Sequence, residues 1–305
     1  AKENEYVWVV VPRTTAVYAT TGLGKTTFTD ADYTSIENDL KEYTKTYRGN
    51  TDFSDVYYPD DKNVGWFADA TAYNNLKNSM LKSVYENGGF YVGRYEAGID
   101  TTTGTNRTSK GPTNSDGKYT IEGMPAPVTK ADAYPYTYVT RTQAQNLASN
   151  VNSGTKTSSL MFGVQWDLVL AFMHNKGNIA DSTLTSNSTT IGNYKDNSWT
   201  IKNANAKYSD NKGRTFTACP NPFKKESNSS ILLTTGADSS FSVQNIYDVA
   251  GNVWEWILEN TSSTDLPCAS RGGCFSSTGS DSPTIYFIVP TDGSNYSHGF
   301  RVSLF

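Results

Sequence analysis

Few side chains in this 305-residue chain are suited to catalysis or to binding a transition metal. The candidates are two histidines, His174 and His298, and three cysteines, Cys219, Cys268 and Cys274. Two histidines are too few for an iron site built mainly on histidines, and the chain has no nucleophile elbow or phosphate-binding loop. His174 follows an apolar stretch, so we predict a structural role for it. An odd number of cysteines excludes a fully paired framework; Cys268 and Cys274 could bridge, but three unpaired thiols are the favoured prediction.

Composition and charge limit the classes of partner. The net charge is −4, and the basic residues form no stripe, which excludes nucleic acid and anionic membranes as expected partners. The chain has 20 Tyr, 13 Phe and 6 Trp in an otherwise Ser-, Thr-, Asn- and Gly-rich background, a mixture that suits an extracellular or virion protein with an adaptable binding surface. No run reaches transmembrane length and no signal peptide is visible. Because the chain begins at Ala1, we expect a targeting or anchoring segment to precede it.

The last segment of the chain, residues 260–305, uses a restricted set of amino acids. It contains no Lys, Glu, Gln, Met or Trp. These five types are the ones whose codons all end in a purine, so the remaining residues can all be written with codons ending in C or T. Such a segment favours a diversified binding face over a catalytic one.

Hydrophobic periodicity predicts the elements that must position this segment. Helices are predicted at 32–48 and 71–86. A third helix is predicted to begin at a capping box formed by Thr140 and Gln143. A fourth is predicted at 160–173, where apolar residues on every side indicate an enclosed helix. Strands are predicted at 6–12 and 90–96. The polar region 175–240 is too long for a simple connection, which predicts an ordered insertion with short strands. A few helices among short, irregular strands argue for the α+β class.

The most specific motif is Asn245-Ile-Tyr-Asp-Val-Ala-Gly-Asn-Val-Trp-Glu-Trp256. On a strand, Trp254 and Trp256 share one face and enter the core, while Glu255 points to the other face. Together with Arg271-Gly272-Gly273 and Gly299-Phe300-Arg301, this motif resembles the formylglycine-generating-enzyme-like branch of the C-type lectin fold. The resemblance covers about 88–305 and implies short twisted antiparallel strands, two main helices and long ordered insertions. Residues 1–87 would then be an N-terminal strand and helical extension packed on this domain, with 6–12 pairing with the terminal strand.

The chain is most similar to the non-catalytic members of this group, the variable proteins of diversity-generating retroelements. That resemblance implies a surface-displayed protein that binds a protein or cell-surface ligand through a variable segment at about 268–298. The implied scaffold residues are Trp254, Trp256, Arg271, Gly272, Gly273, Gly299, Phe300 and Arg301. The implied variable face is Cys274, Phe275, Ser276, Ser277, Ile285, Tyr286, Phe287, Ile288, Val289, Ser294, Asn295, Tyr296, Ser297 and His298. Its expected anchors are Phe275, Tyr286, Phe287 and Tyr296.

Alternatives remain open beside this interpretation. A copper oxidase of the formylglycine-generating type would need a thiol pair after the Arg-Gly-Gly turn, and 275–280 contains no cysteine; we therefore expect no enzyme activity. A structural pilin-like or phage tail subunit is a further alternative. We expect no cofactor, except that Glu255 could bind a structural calcium ion; an ion pair or hydrogen bond that holds the motif is the favoured role. The expected location is a bacterial cell surface or a phage virion.

Overall fold

The computed structural model describes residues 3–49, 52–59, 67–151 and 154–305. They form a mixed structure with few helices and many short strands that pair mainly antiparallel, as expected for the α+β class. The helices are α1 (Asp30–Tyr43), α2 (Ala70–Asn87), α3 (Arg141–Ser149), α4 (Gly163–Gly177) and α5 (Asp181–Thr185). The strands are β1 (Tyr6–Val10), β2 (Phe53–Ser54), β3 (Gly89–Gly93), β4 (Gly98–Ile99), β5 (Tyr134–Pro135), β6 (Ser158–Ser159), β7 (Trp199–Ile201), β8 (Lys207–Ser209), β9 (Thr217–Ala218), β10 (Phe223–Lys225), β11 (Leu232–Leu233), β12 (Ser242–Val243), β13 (Ile246–Tyr247), β14 (Trp254–Thr261), β15 (Cys268–Arg271), β16 (Tyr286–Val289), β17 (His298–Phe300) and β18 (Ser303–Leu304).

The helices lie close to where hydrophobic periodicity places them. The capping box at the start of α3 is present: the Thr140 hydroxyl accepts from the Gln143 amide at 3.2 Å, and the Gln143 side chain accepts from the Thr140 amide at 3.1 Å. Helix α2 ends where Gly88 adopts a left-handed conformation with φ 74°. Helix α1 is shorter than predicted, because the chain tightens into a 3₁₀ turn at Lys45–Tyr47. Helix α4 starts three residues later than predicted, and it is buried on all sides from Gly163 to Met173, as an enclosed helix should be.

Two sheets organise the part of the chain that carries the site. One has the order β1-β3-β18-β6, and the other has the order β16-β15-β14-β17, with β2 paired to the far end of β14. The expected pairing of the first strand with the terminal strand is wrong: β3 lies between β1 and β18 and pairs with both. Helix α4 packs against β1 and β14, which belong to different sheets, and its apolar surface fills the space between them.

The polar region before the aromatic motif is an ordered insertion, as predicted. Strands β7 and β10 pair in one small sheet, and β8, β9 and β11 pair in another. Trp199 and Phe241 belong to a separate small hydrophobic cluster beneath these strands. The insertion therefore has a core of its own, and its β8–β9 turn reaches the terminal segment.

Candidate ligand-binding face

Strand β14 provides the rigid base of the site. Trp254 and Trp256 lie on the same face of the strand and are 4% and 1% exposed, as their spacing predicts. The Trp256 indole donates a hydrogen bond to the Val139 carbonyl at 3.0 Å. Trp254 packs in a small cluster with Phe275 and the partly buried Tyr296. The two indoles thus hold β14 between the molecular core and the terminal segment.

Arg271 ties the sheet to the helical layer through a buried ion pair. Its Nη1 lies 2.5 Å from Oδ1 of Asp167 on α4, and both side chains are completely buried. Arg271 also donates to the carbonyls of Tyr47 at 2.8 Å and Pro283 at 3.2 Å. Burial raises the pKa of Asp167, although the guanidinium groups of Arg271 and Arg48 oppose that shift. Removing Asp167 would leave the buried Arg271 guanidinium without an ion-pair partner among the described residues, so this pair fixes the position of β15.

The Gly272–Gly273 turn has no room for side chains. Both residues have positive φ, 104° and 78°, and a Cβ on Gly273 would come within 2.3 Å of the Asp281 carbonyl oxygen. The glycines let the chain reverse tightly after Arg271 and begin the terminal segment. The scaffold role implied for both glycines stays a prediction.

Glu255 forms an ion pair with Arg301, the role that the sequence favoured over calcium binding. Its Oε1 lies 2.5 Å from Nη2 of Arg301, and Nε of Arg301 lies 3.0 Å from Oε2. Arg301 also donates to the Gly93 carbonyl at 2.9 Å, which joins the two sheets. Burial raises the pKa of Glu255, and Arg301 opposes the shift. In the described part of the chain, no group of three or more His, Cys, Asp or Glu side chains is arranged to hold a metal ion.

Three neighbouring residues of the terminal segment expose large apolar side chains. Ile285, Phe287 and Ile288 are 38%, 46% and 40% exposed, whereas the other exposed large hydrophobic residues of the described chain lie on other elements. Phe287 and Ile288 belong to β16, whose backbone is paired along its length with β15. These side chains are therefore held on an edge strand rather than on a loose loop, and Ile288 lies on the side of the sheet opposite to Phe287. Elsewhere in the segment, Ser276 is exposed and Ser277, Ser294, Asn295 and Tyr296 are half-buried. We call these eight residues, 276–277, 285, 287–288 and 294–296, the exposed face.

The remaining predicted face residues do not point outward. Cys274 and Phe275 are 2% and 1% exposed because they pack in the Trp254 cluster. Val289 belongs to the main core. Ser297 and His298 are also buried, since the segment turns inward there to form β17. The expected anchor role of Phe275 is therefore corrected: its side chain is part of the scaffold.

Tyr286 also belongs to the scaffold rather than to the exposed face. Successive residues of β16 point to opposite sides of the sheet, so Tyr286 lies on the side away from Phe287. Its ring stacks on Phe53 at a centroid distance of 3.7 Å, and its hydroxyl donates to the Arg48 carbonyl at 3.0 Å. These contacts fasten β16 to the N-terminal part of the chain, a role that the residue type alone did not indicate.

His298 lies under the exposed face in an apolar setting. Its ring centroid is 5.0 Å from that of Trp256 and 5.3 Å from that of Phe287. Nδ1 lies 3.0 Å from the Asn295 side-chain oxygen, and Nε2 has no hydrogen-bond partner among the described residues. Burial lowers the pKa of His298 to about 3, so the ring is neutral at physiological pH.

Backbone hydrogen bonds fix the segment independently of its side chains. The Phe275 amide donates to the Asn252 carbonyl at 2.9 Å, and the Trp254 amide donates to the Ser297 carbonyl at 2.8 Å. At the far end of the segment, the Tyr138 amide donates to the Asn295 carbonyl at 2.9 Å. Because these bonds use main-chain atoms, the exposed side chains between them can differ without loss of the bonds.

Residues outside the terminal segment also border the exposed face, and sequence reasoning missed them. The Lys212 ammonium lies 5.2 Å from the Tyr296 ring centroid, and Phe216 packs in the cluster of Trp254 and Tyr296. On the connection between β4 and β5, Lys110 forms an ion pair with Asp292 at 3.6 Å. No spacing rule could have found these residues, since they are distant in sequence and meet only through tertiary packing.

The three cysteines considered for redox chemistry are buried. Cys219, Cys268 and Cys274 are all buried thiols, as the favoured prediction had it. The Cys274 sulfur lies 3.2 Å from the Ser276 hydroxyl. Among the described residues, helices with the length and apolarity needed to span a bilayer are absent.

Comparison with known proteins finds low similarity throughout. No protein-family description matches the chain, and no curated protein matches it. Among solved structures, CarF is 15% identical, with 98% of this chain and 97% of that chain covered and a TM-score of 0.30. Variable protein 1 of Treponema denticola is 14% identical, with 86% and 80% covered and a TM-score of 0.27. The structural neighbours thus include a variable protein, but TM-scores this low carry no argument about function.

Proposed function

We propose that this chain is a ligand-binding protein and that the exposed face is its binding surface. One observation carries the proposal: Ile285, Phe287 and Ile288 are exposed on and beside an edge strand that is paired along its length with β15, within a segment that lacks five residue types. Exposed apolar clusters on soluble proteins commonly mark interaction sites. Since the strand is already ordered, binding costs little conformational entropy.

The scaffold we propose is a C-type lectin fold of the formylglycine-generating-enzyme type. Supporting this, the motif resembling that family ends in the first three residues of β14, and Gly299 and Phe300 pair alongside them in parallel. The family-like arginines, Arg271 and Arg301, are both buried in ion pairs. These contacts give the frame a stability that does not depend on the exposed side chains.

The face would be rewritten by a retroelement, and its ligand would be a protein or a cell-surface molecule. Adenine-directed mutation of AAC or AAT codons reaches any codon ending in C or T, and this matches the residue types of 260–305. We further propose that the role is not catalytic and that the protein is displayed at a bacterial cell surface or on a phage. The burial of Cys268 and Cys274 favours binding over thiol chemistry at the face.

Sequencing the coding region in many isolates of the source population tests this proposal. We expect substitutions to concentrate in the exposed face and to spare scaffold positions such as Trp254, Arg271 and Phe275. A near-copy of the region encoding 260–305, differing only at adenines and adjacent to a reverse-transcriptase gene, should lie nearby. Substitutions spread evenly along the chain, with no such copy, would refute diversification of the face.

A further inference from the structure

The β8–β9 turn, residues 210–216, borders the exposed face although it lies outside the terminal segment. Lys212 sits over the Tyr296 ring at 5.2 Å, and Phe216 packs against the cluster that contains Trp254. Trp254 in turn contacts Phe287, with ring centroids 5.4 Å apart. A chain of contacts therefore connects the cationic turn to strand β16 through the buried Trp254.

The turn is held rigidly by side-chain hydrogen bonds. The Asn211 side-chain oxygen accepts from the Ser209 hydroxyl at 2.8 Å and from the Thr215 amide at 3.1 Å. Its amide group donates to the Thr215 hydroxyl at 2.7 Å. From the neighbouring loop, the Asn106 side chain donates to the Gly213 carbonyl at 2.5 Å. The turn thus presents its outward side chains in a fixed arrangement.

Lys212 occupies a backbone conformation that disfavours lysine. It has φ 63° and precedes Gly213, which has φ 75°. Asn or Gly would adopt the left-handed region at a lower cost than lysine does. Residues in such conformations persist where the surrounding structure fixes them, and they are common at functional sites. Here the side chain places an exposed ammonium beside Tyr296.

Around this turn, exposed cationic side chains outnumber exposed anionic ones. Lys212 and Arg214 are exposed, and neither forms an ion pair within the described ranges. Lys110 is paired with Asp292, and the exposed Asp210 opens the turn. The whole chain carries a net charge of −4, so these two free cations mark a local exception.

We propose that Lys212 and Arg214 form a constant cationic rim of the exposed face and that the ligand is a protein segment in which carboxylates adjoin apolar side chains. The carboxylates contact Lys212 and Arg214, while the apolar side chains lie on Phe287. Two cations beside an apolar strand suit such a segment better than a nucleic acid, which needs a longer basic track. This inference rests on the proposed function of the face.

The test uses random peptides displayed on phage and selected on the immobilised full chain. We expect enriched peptides to combine Asp or Glu with aliphatic or aromatic residues. Their affinity is then measured for the wild type, for K212Q/R214Q, and for the control R13Q/K224Q, which makes the same charge change at exposed cations on other elements. At low salt, K212Q/R214Q should weaken binding about tenfold and the control less than about twofold, with the difference shrinking at high salt.

A second pair of variants separates the two proposals. F287S/I288S should abolish binding if the exposed face is the site. F287S/I288S could abolish peptide binding while K212Q/R214Q weakens it no more than the R13Q/K224Q control does. That result would overturn the cationic rim and leave the proposed function standing. Peptides indifferent to F287S/I288S would overturn both. Binding of a single-stranded oligonucleotide as tight as that of the acidic peptides would overturn the choice of a protein ligand.

K212G distinguishes a binding role for Lys212 from a structural one. Glycine relieves the positive-φ strain, so its thermal midpoint should equal or exceed that of the wild type while peptide affinity falls. A lower midpoint with unchanged peptide affinity would show that Lys212 supports the fold, and would overturn the proposal.

Discussion

Phe287 of the exposed face lies directly against Trp254 of the scaffold, with ring centroids 5.4 Å apart and planes inclined by 35°. Phe287 is 46% exposed, whereas Trp254 is 4% exposed. An exposed side chain thus covers a buried one, and the indole provides an apolar surface beneath it. We infer that many residue types at position 287 can rest on this surface without disturbing β14.

The boundary between face and scaffold can be tested by paired substitutions. Changing Ile285, Phe287 and Ile288 together to Ser should lower the free energy of unfolding by less than about 2 kcal/mol, since much of each side chain is already in water. Phe275→Ala alone should lower it by about 3–5 kcal/mol, because it opens a cavity in the Trp254 cluster. Urea unfolding measures both values. A larger loss of stability for the triple Ser variant than for Phe275→Ala would place Ile285, Phe287 and Ile288 in the core.

The buried pair of Asp167 and Arg271 should be indispensable to the frame. Asp167→Asn removes the carboxylate partner of Arg271 and one of the two carboxylates that pair with Arg48. We expect the free energy of unfolding to fall by about 3 kcal/mol or more. Asp116→Asn, an exposed loop position, serves as the control and should be neutral. Equal stability of the two variants in denaturant titrations would contradict the assigned role of the pair.

Calcium should not stabilise the folded chain through Glu255. Both carboxylate oxygens of Glu255 accept hydrogen bonds from Arg301, so a cation there would have to displace a buried guanidinium. Thermal midpoints in excess chelator and in millimolar calcium are expected to coincide. A midpoint that climbs with calcium concentration in the wild type but not in Glu255→Gln would reveal a site at this residue.

His298 should make the chain sensitive to acid. Burial holds its pKa at about 3, below the ordinary value of 6.5, so the folded chain binds fewer protons than the unfolded chain between these pH values. Stability from this residue is complete above pH 6.5 and is lost as the pH falls toward 3, at up to about 1.4 kcal/mol per pH unit. His298→Asn should flatten that slope in urea titrations across the range. His174→Asn, at a partly exposed side chain, is the matched control; equal slopes for the wild type and His298→Asn would refute the assignment.

Local patterns predicted the elements better than they predicted their environment. The capping box of α3, the left-handed end of α2 and the burial of α4 follow from spacing and residue type, and all are observed. The buried position of Phe275 does not follow, since its residue type and neighbours match those of an exposed loop. Burial there results from contacts with Trp254, which lies 21 positions earlier in the chain.

The rim residue Lys212 could not be predicted from the sequence for a similar reason. Lys212 meets Tyr296 only because the insertion folds over the end of the terminal segment. Its positive φ has no signature in the sequence, where Asn211-Lys212-Gly213 suggests no more than a turn. The division of the chain near residue 87 also stays a prediction, although Arg48 on one side pairs with Asp167 on the other.

Randomising the exposed face tests the central claim most directly. Codons ending in C or T would be introduced together at Ser276, Ile285, Phe287, Ile288 and Tyr296, and the library would be displayed and sorted by resistance to protease. We predict that most clones stay folded and that different clones bind different ligands. Loss of protease resistance in most clones, with survivors converging on the original residues, would show that these side chains hold the fold together and are not interchangeable.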